Sequence, residues 1–179
     1  MVVIVIMGIA MAIALPGLRS LMDNQKMKSA TFDLVTTVMQ ARSEAIKFGA
    51  TTGASISIRA KGDDYNNGWC IVFSGTSTCT FPDPGSNAPV PAADVMQINA
   101  PIPNVVYTVT SCPSVASGPV PCPTRSTSSC SITFGQSGRL SCGTSVKIQV
   151  DNDSGGASMP RCVTIDASGN AMTKVAACT

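Results

Sequence analysis

Residues 1–49, MVVIVIMGIAMAIALPGLRSLMDNQKMKSATFDLVTTVMQARSEAIKFG, decide how this chain is read. Met1 to Leu15 is unbroken apolar sequence. As helix it reaches roughly 22 Å, a little short of a hydrocarbon core of about 30 Å. A membrane anchor, a secretory signal peptide and a buried core helix are the three readings of such a run. Ala12-Ile13-Ala14 resembles a cleavage site, but no basic n-region precedes the apolar residues in this sequence. Pro16-Gly17 then interrupts the run and predicts a kink.

Beyond the interruption the pattern is helical. Met27, Leu34, Val38, Ala41, Ala45 and Phe48 fall on one stripe, while Asp23, Lys26, Asp33, Gln40, Glu44 and Lys47 lie on the other side. Gly49 stands where a C-terminal cap is expected. A cleaved signal peptide has no use for this continuation, which favours an anchor. The expected organisation is a membrane-spanning segment over 1–18, an amphipathic helix over 19–49 and a globular domain over 50–179. Met1, Val5, Ile9, Ile13 and Pro16 are the candidate anchoring and helix-packing positions.

After Gly49 the period changes to two. Ser55–Arg59 alternates, a Gly62–Gly68 turn follows, and Trp69–Phe73 completes a predicted hairpin. Further strands are expected at Val95–Asn99, Val105–Thr110, Ser131–Phe134, Ser145–Val150, Arg161–Ile165 and Ala171–Lys174. The fold class is therefore α+β, with a long N-terminal helix laid on an antiparallel sheet of six to eight strands. Residues 74–94 and 111–129 are rich in Ser, Thr, Gly and Pro yet carry cysteines, so they read as surface loops held by disulfides.

The eight cysteines are Cys70, Cys79, Cys112, Cys122, Cys130, Cys142, Cys162 and Cys178. None forms the short C-x(2–4)-C knuckle of a structural zinc site, and the chain has no histidine to complete one. Disulfides formed in an oxidising compartment are the better reading. Short separations close cheaply, so the expected pairs are Cys70–Cys79, Cys112–Cys122, Cys130–Cys142 and Cys162–Cys178.

The chemistry of catalysis is hard to find. Without histidine there is no Ser-His-Asp or Cys-His pair, no HExxH metal site and no imidazole proton shuttle. Phosphate-loop and dinucleotide fingerprints are absent too. Asp151-Asn152-Asp153-Ser154-Gly155 opens like a calcium loop, but Cys162 stands where the bidentate glutamate belongs, so a solvated turn is preferred. No cofactor is expected. Trp69, the single tryptophan, reads as a core residue. The net charge of +2 argues against a concentrated nucleic-acid face.

An apolar run ending in Ala14-Leu15-Pro16, followed by a helix containing Ala41-Arg42-Ser43-Glu44-Ala45, resembles the type IV pilin-like proteins. The ARSEA string resembles the FimT/FimU and GspH-type minor pilins and pseudopilins in particular. The strand GWCIVF (Gly68–Phe73) and the turn FGQSGRL (Phe134–Leu140) resemble that family further along the chain. The resemblance implies a structural subunit of a type IV pilus or a type II secretion pseudopilus, with no enzymatic activity. It implies partnership with other pilins through the N-terminal helix, with the inner membrane before assembly, and with an assembly platform. It places the globular domain in the periplasm. A leader cut by a prepilin peptidase, a methylated aromatic first residue and a glutamate at the fifth mature position would all lie before Met1. Some FimT-like relatives take up DNA through a Gly-Arg-x-Arg turn. Here the matching turn reads Gly169-Asn170-Ala171-Met172, without either arginine. Arg139, Arg161 and Lys174 remain as a modest DNA-contact set, provided folding brings them together.

Overall fold

The computed structural model describes residues 2–62, 64–73, 79, 95–109, 131–153 and 159–179, with only the backbone of 2–6 and 8–20. One helix, α1 (Val2–Thr52), occupies the N-terminal third. At about 1.5 Å per residue it is roughly 76 Å long. It is continuous through Pro16 and Gly17, where the expected interruption amounts to no break in the helix.

The stripe read from the sequence is buried. Met27, Ala30, Leu34, Val38, Ala41 and Ala45 are each at most 1% exposed. Two threonines on the same face satisfy their hydroxyls within the helix, Thr31 Oγ1 donating to Met27 O (2.7 Å) and Thr37 Oγ1 to Asp33 O (2.8 Å). Phe48, at the end of the stripe, packs edge-on against Phe73 with ring centroids 5.1 Å apart.

The helix continues past Gly49 to Thr52. Its cap is Gly53, at φ +72°, whose N–H donates to Gly49 O at 3.2 Å. Gly49 serves another purpose: a Cβ there would lie 2.5 Å from the Cα of Gln136. The glycine lets a loop cross the last turns of α1, and Gln136 Nε2 then donates to Gly53 O at 2.9 Å. A close-approach glycine and a cap glycine look alike in sequence, which explains the misplaced end.

Eight strands follow: β1 (Ile56–Lys61), β2 (Asp64–Phe73), β3 (Val95–Asn99), β4 (Val105–Val109), β5 (Ser131–Phe134), β6 (Val146–Asn152), β7 (Arg161–Ile165) and β8 (Ala171–Lys174). They form two four-stranded antiparallel sheets rather than the single sheet expected, in the orders β3-β2-β1-β5 and β4-β6-β7-β8. The reason lies in β2. It starts at Asp64, within the segment read as a turn, and residues 65–68 bulge between the pairs Ala60↔Trp69 and Lys61↔Asp64. Asp64 Oδ1 accepts from the N–H and the amide of Asn66, which aims Asn66 Oδ1 at the Tyr107 N–H, 2.7 Å away on β4. That bond fastens the second sheet to the first.

The two sheets and α1 enclose one core. Ile56, Ile58, Ile71 and Phe134 come from the first sheet, and Val146, Ile148, Val150 and Ile165 from the second. Burying each such side chain contributes about 1.5–3 kcal/mol before conformational entropy is counted.

Truncation of the helix stripe should show how much the fold leans on it. Leu34→Ala is expected to lower unfolding free energy by about 3 kcal/mol through loss of burial and a residual cavity. Gln40→Ala, on the exposed side, should stay within about 0.5 kcal/mol. Urea denaturation of both variants under oxidising conditions makes the comparison.

Candidate functional site

Among the described residues, the candidates for function are those that hold the helix on the sheets and those of the helix that stay exposed. The sheets cover α1 from Met27 onward. Among the described side chains Met27 is the first that is buried, and Met7, Leu21 and Met22 ahead of it are exposed. Of the predicted packing residues, Val5, Ile9, Ile13 and Pro16 lie on this part of the helix backbone; their side chains, and all of Met1, fall outside the described residues. Among the described residues, no helix is long and apolar enough to cross a membrane.

Where the helix meets both sheets, an aromatic cluster forms. Trp69 is 1% exposed, as a core tryptophan should be, and its Nε1–H donates to Thr37 Oγ1 at 3.3 Å. It packs edge-on against Tyr107, with centroids 5.0 Å apart, and tilted against Tyr65 at 6.2 Å. Tyr65 OH donates to Ile58 O at 3.2 Å. Burial pushes the Tyr65 hydroxyl pKa well above the usual tyrosine range, slightly offset by Arg59. The Tyr107 hydroxyl is raised by burial first and by the Asp33 carboxylate second.

A second junction joins two turns. A Cβ on Gly169 (φ +83°) would sit 2.2 Å from Gly138 O, and one on Gly138 would sit 2.8 Å from Ile46 of the helix. Arg42 passes beside both turns, and its Nη1 donates to Asn170 Oδ1. The Gly169 turn is held by Asp166, which accepts from Ser168 Oγ (2.6 Å) and the Asn170 N–H (2.9 Å). These bonds, led by that from Ser168, keep its carboxyl below the usual carboxylate range.

The basic residues read as a possible DNA set are dispersed. Arg139 is exposed on the turn after β5, where Leu140 N donates to Ala167 O beside the β7–β8 turn. Arg161 and Lys174 lie at the opposite end of the β7–β8 pair. Arg161 alternates in step with the buried Val163 and Ile165, whereas Lys174 pairs across from Cys162 on the other face.

Cys70 is bonded to Cys79 and Cys162 to Cys178, with Cα separations of 5.9 and 5.0 Å, as short-range closure predicts. Cys142 is also disulfide-bonded, to a cysteine outside the described residues. Cys112, Cys122 and Cys130, with both loops that carry them or follow Phe73, fall outside as well, apart from Cys79. The Cys162–Cys178 bond fixes the C-terminus on the second sheet. There Cys178 N donates to Gln149 Oε1 at 3.1 Å, and Lys147 Nζ donates to Thr179 O. Asp151, weighed as a calcium ligand, is part of β6, and its Oδ1 accepts from Asn152 N at 2.8 Å. Among the described residues, no group of three or more His, Cys, Asp or Glu side chains is placed to hold a metal ion.

The family model described as type II transport protein GspH matches residues 30–169, from near the start of the buried helix stripe to the Gly169 turn. The chain belongs to the GspH family. This GspH-family chain also shares its fold with two solved proteins. The type IV minor pilin FimU of Pseudomonas aeruginosa superposes with TM-score 0.53 at 20% identity, covering 84% of this chain and 89% of that one. The minor pseudopilin EpsH from the type 2 secretion system of Vibrio cholerae gives TM-score 0.51 at 9% identity, covering 86% and 99%. No curated protein matches the sequence. The fold is type IV pilin-like, an N-terminal helix on antiparallel sheets.

The buried tyrosines set an alkaline limit. Unfolded tyrosines ionise near pH 10 while folded Tyr65 and Tyr107 keep their protons, so the unfolded state binds fewer protons there and stability falls as pH rises. The expected loss is up to about 1.4 kcal/mol per pH unit for each tyrosine. Urea midpoints at pH 8 and pH 11 measure it, and Tyr107→Phe should narrow the gap between them.

Proposed function

We propose that this chain is a minor pilin or pseudopilin, a non-enzymatic structural subunit of a type IV pilus or a type II secretion pseudopilus, contributing to filament assembly. The observation that carries the reading is a 51-residue helix whose stripe from Met27 to Ala45 is covered by its own sheets, while Met7, Leu21 and Met22 ahead of it are exposed. A helix segment is seldom stable in water without a surface to pack on. The segment ahead of that stripe, apolar from Met1 to Leu15, serves in two environments in turn. Before assembly it lies in the inner membrane as a single-pass anchor, with the bilayer locally thinned to meet an apolar run shorter than its hydrocarbon core. After assembly it packs among the helices of other pilins. The disulfide-bonded domain faces the periplasm and contacts neighbouring subunits. Prepilin peptidase acting on a precursor, and an assembly platform that draws the subunit from the bilayer, complete the set of partners. Met1, Val5, Ile9, Ile13 and Pro16 are the anchoring and packing positions.

The alternative, a DNA-binding or adhesive tip subunit, rests on Arg139, Arg161 and Lys174. Their separation leaves Arg139 and Lys174 as isolated exposed cations, each worth about one phosphate contact.

Two measurements test these readings. In cells that build the filament, the full chain should sediment with membranes, resist carbonate washing and appear in sheared filaments, with residues 1–14 retained in its intact mass. A carbonate-soluble protein lacking those residues would be a cleaved periplasmic protein instead. In a gel shift across a salt series the purified chain should retard duplex DNA no better than Arg139→Glu. Salt-sensitive retardation lost in that variant would establish the receptor reading.

A further inference from the structure

The two edges of the second sheet are treated differently. At the β4 edge the Tyr107 N–H is taken by Asn66 Oδ1 at 2.7 Å. At the other edge, β8 pairs with β7 alone. The Asp166 N–H donates to Asn170 O at 3.0 Å, and that bond sets the alternation of the ladder. Met172 and Lys174 fall in the pairs bonded to β7, while Ala171 and Thr173 turn their N–H and C=O outward. Among the described residues nothing bonds to those four outward groups.

The edge is bare as well as unpaired. Met172 is 61% exposed, and Thr173 and Lys174 beside it are exposed. Open edges are usually guarded by a bulge, a proline or a charge in mid-strand. The β7–β8 ladder runs without a register shift, and β8 has no proline. Its lysine stands at the last position, beyond the two open residues, and leaves both accessible.

The chemistry of the edge specifies what fits it. Two N–H donors alternating with two C=O acceptors at strand spacing match an extended polypeptide, whereas a phosphate backbone supplies acceptors alone. Cations stand at both ends, roughly 14 Å apart. Lys174 closes one end. At the other, Arg42 holds Asn170, and the exposed Arg139 sits on the turn packed against Gly169. The carboxylate nearby, Asp166, is occupied by Ser168 and Asn170. A second copy fits poorly. Paired antiparallel about Met172, it would bring Lys174 opposite Asn170, where Arg42 is bonded, and paired parallel in register it would set Lys174 beside Lys174.

We propose that the β8 edge is a docking site for an extended segment of another protein, added to the second sheet as a further strand and carrying an acidic residue towards each end. Backbone bonds to Ala171 and Thr173 hold the segment, an apolar side chain covers Met172, and the terminal carboxylates meet Lys174 and Arg139.

The full chain in lipid nanodiscs is titrated, by fluorescence anisotropy, with labelled seven-residue peptides of alternating Thr and Val closed at both ends by Asp or by Lys. The Asp-ended peptide should bind at least about fivefold more tightly than the Lys-ended one, and Lys174→Glu should cut that ratio by a similar factor. Two further Asp-ended peptides carry N-methyl groups on alternate amides, one on the odd positions and one on the even. One of the two should lose binding and the other keep it, because only one row of amides faces β8. No binding by the Asp-ended peptide, equal binding of Asp and Lys ends, indifference to Lys174→Glu or equal effects of the two methylation patterns would overturn the proposal. So would displacement of the peptide by duplex DNA with the same dependence on Lys174, or a dimer of this chain that Thr173→Pro dissolves.

Discussion

The fold depends on one act of desolvation: the stripe from Met27 to Ala45 is closed off from water by two sheets at once. A helix this long has no reason to stop where the globule stops, and it does not. What the sheets determine is where along its length the helix becomes part of a domain. The small residues on the stripe, Ala30, Ala41 and Ala45, let the strands approach closely, while Met27, Leu34 and Val38 fill the space between them. The bulge of β2, the Asn66–Tyr107 tie and the Gly138–Gly169 contact all bring material to this surface.

Much of this was legible in the residues themselves. A periodicity of seven, four and three between Met27 and Phe48 marks a helix with one dry face, and that face is the buried one. Alternation over Ile56–Arg59 and Arg161–Ile165, bounded by Gly- and Asn-rich turns, marks strands, and five of the eight have the bounds read from the sequence or lie within a residue of them at each end. Contacts that act across distance were illegible. Nothing in Asp64-Tyr65-Asn66 announces that an amide will reach a strand some forty residues on, so the division into two sheets went unread. Gly49 has the look of a helix terminator, and only the crossing of Gln136 shows it to be a clearance.

The functional residues divide the same way. Apolar character at the start of the chain is a property of composition and needs no fold to be seen. The dispersal of Arg139, Arg161 and Lys174 is a property of strand register, and a one-residue change in pairing would have turned Arg161 outward. The short-range disulfides follow the entropy of loop closure, and Cys162–Cys178 adds the benefit of restraining a chain end that holds only a few other bonds.

The attachment of α1 across both sheets has a mechanical meaning. Tension applied along the helix axis reaches β1, β4, β5, β6, β7 and β8 together through side chains on one face. Contacts arranged in parallel along the line of pull must fail together, in shear, whereas strands pulled from an edge would peel one bond at a time. Cys70–Cys79 and Cys162–Cys178 then keep the segments they close, the end of β2 and the stretch from β7 through β8, from being drawn out.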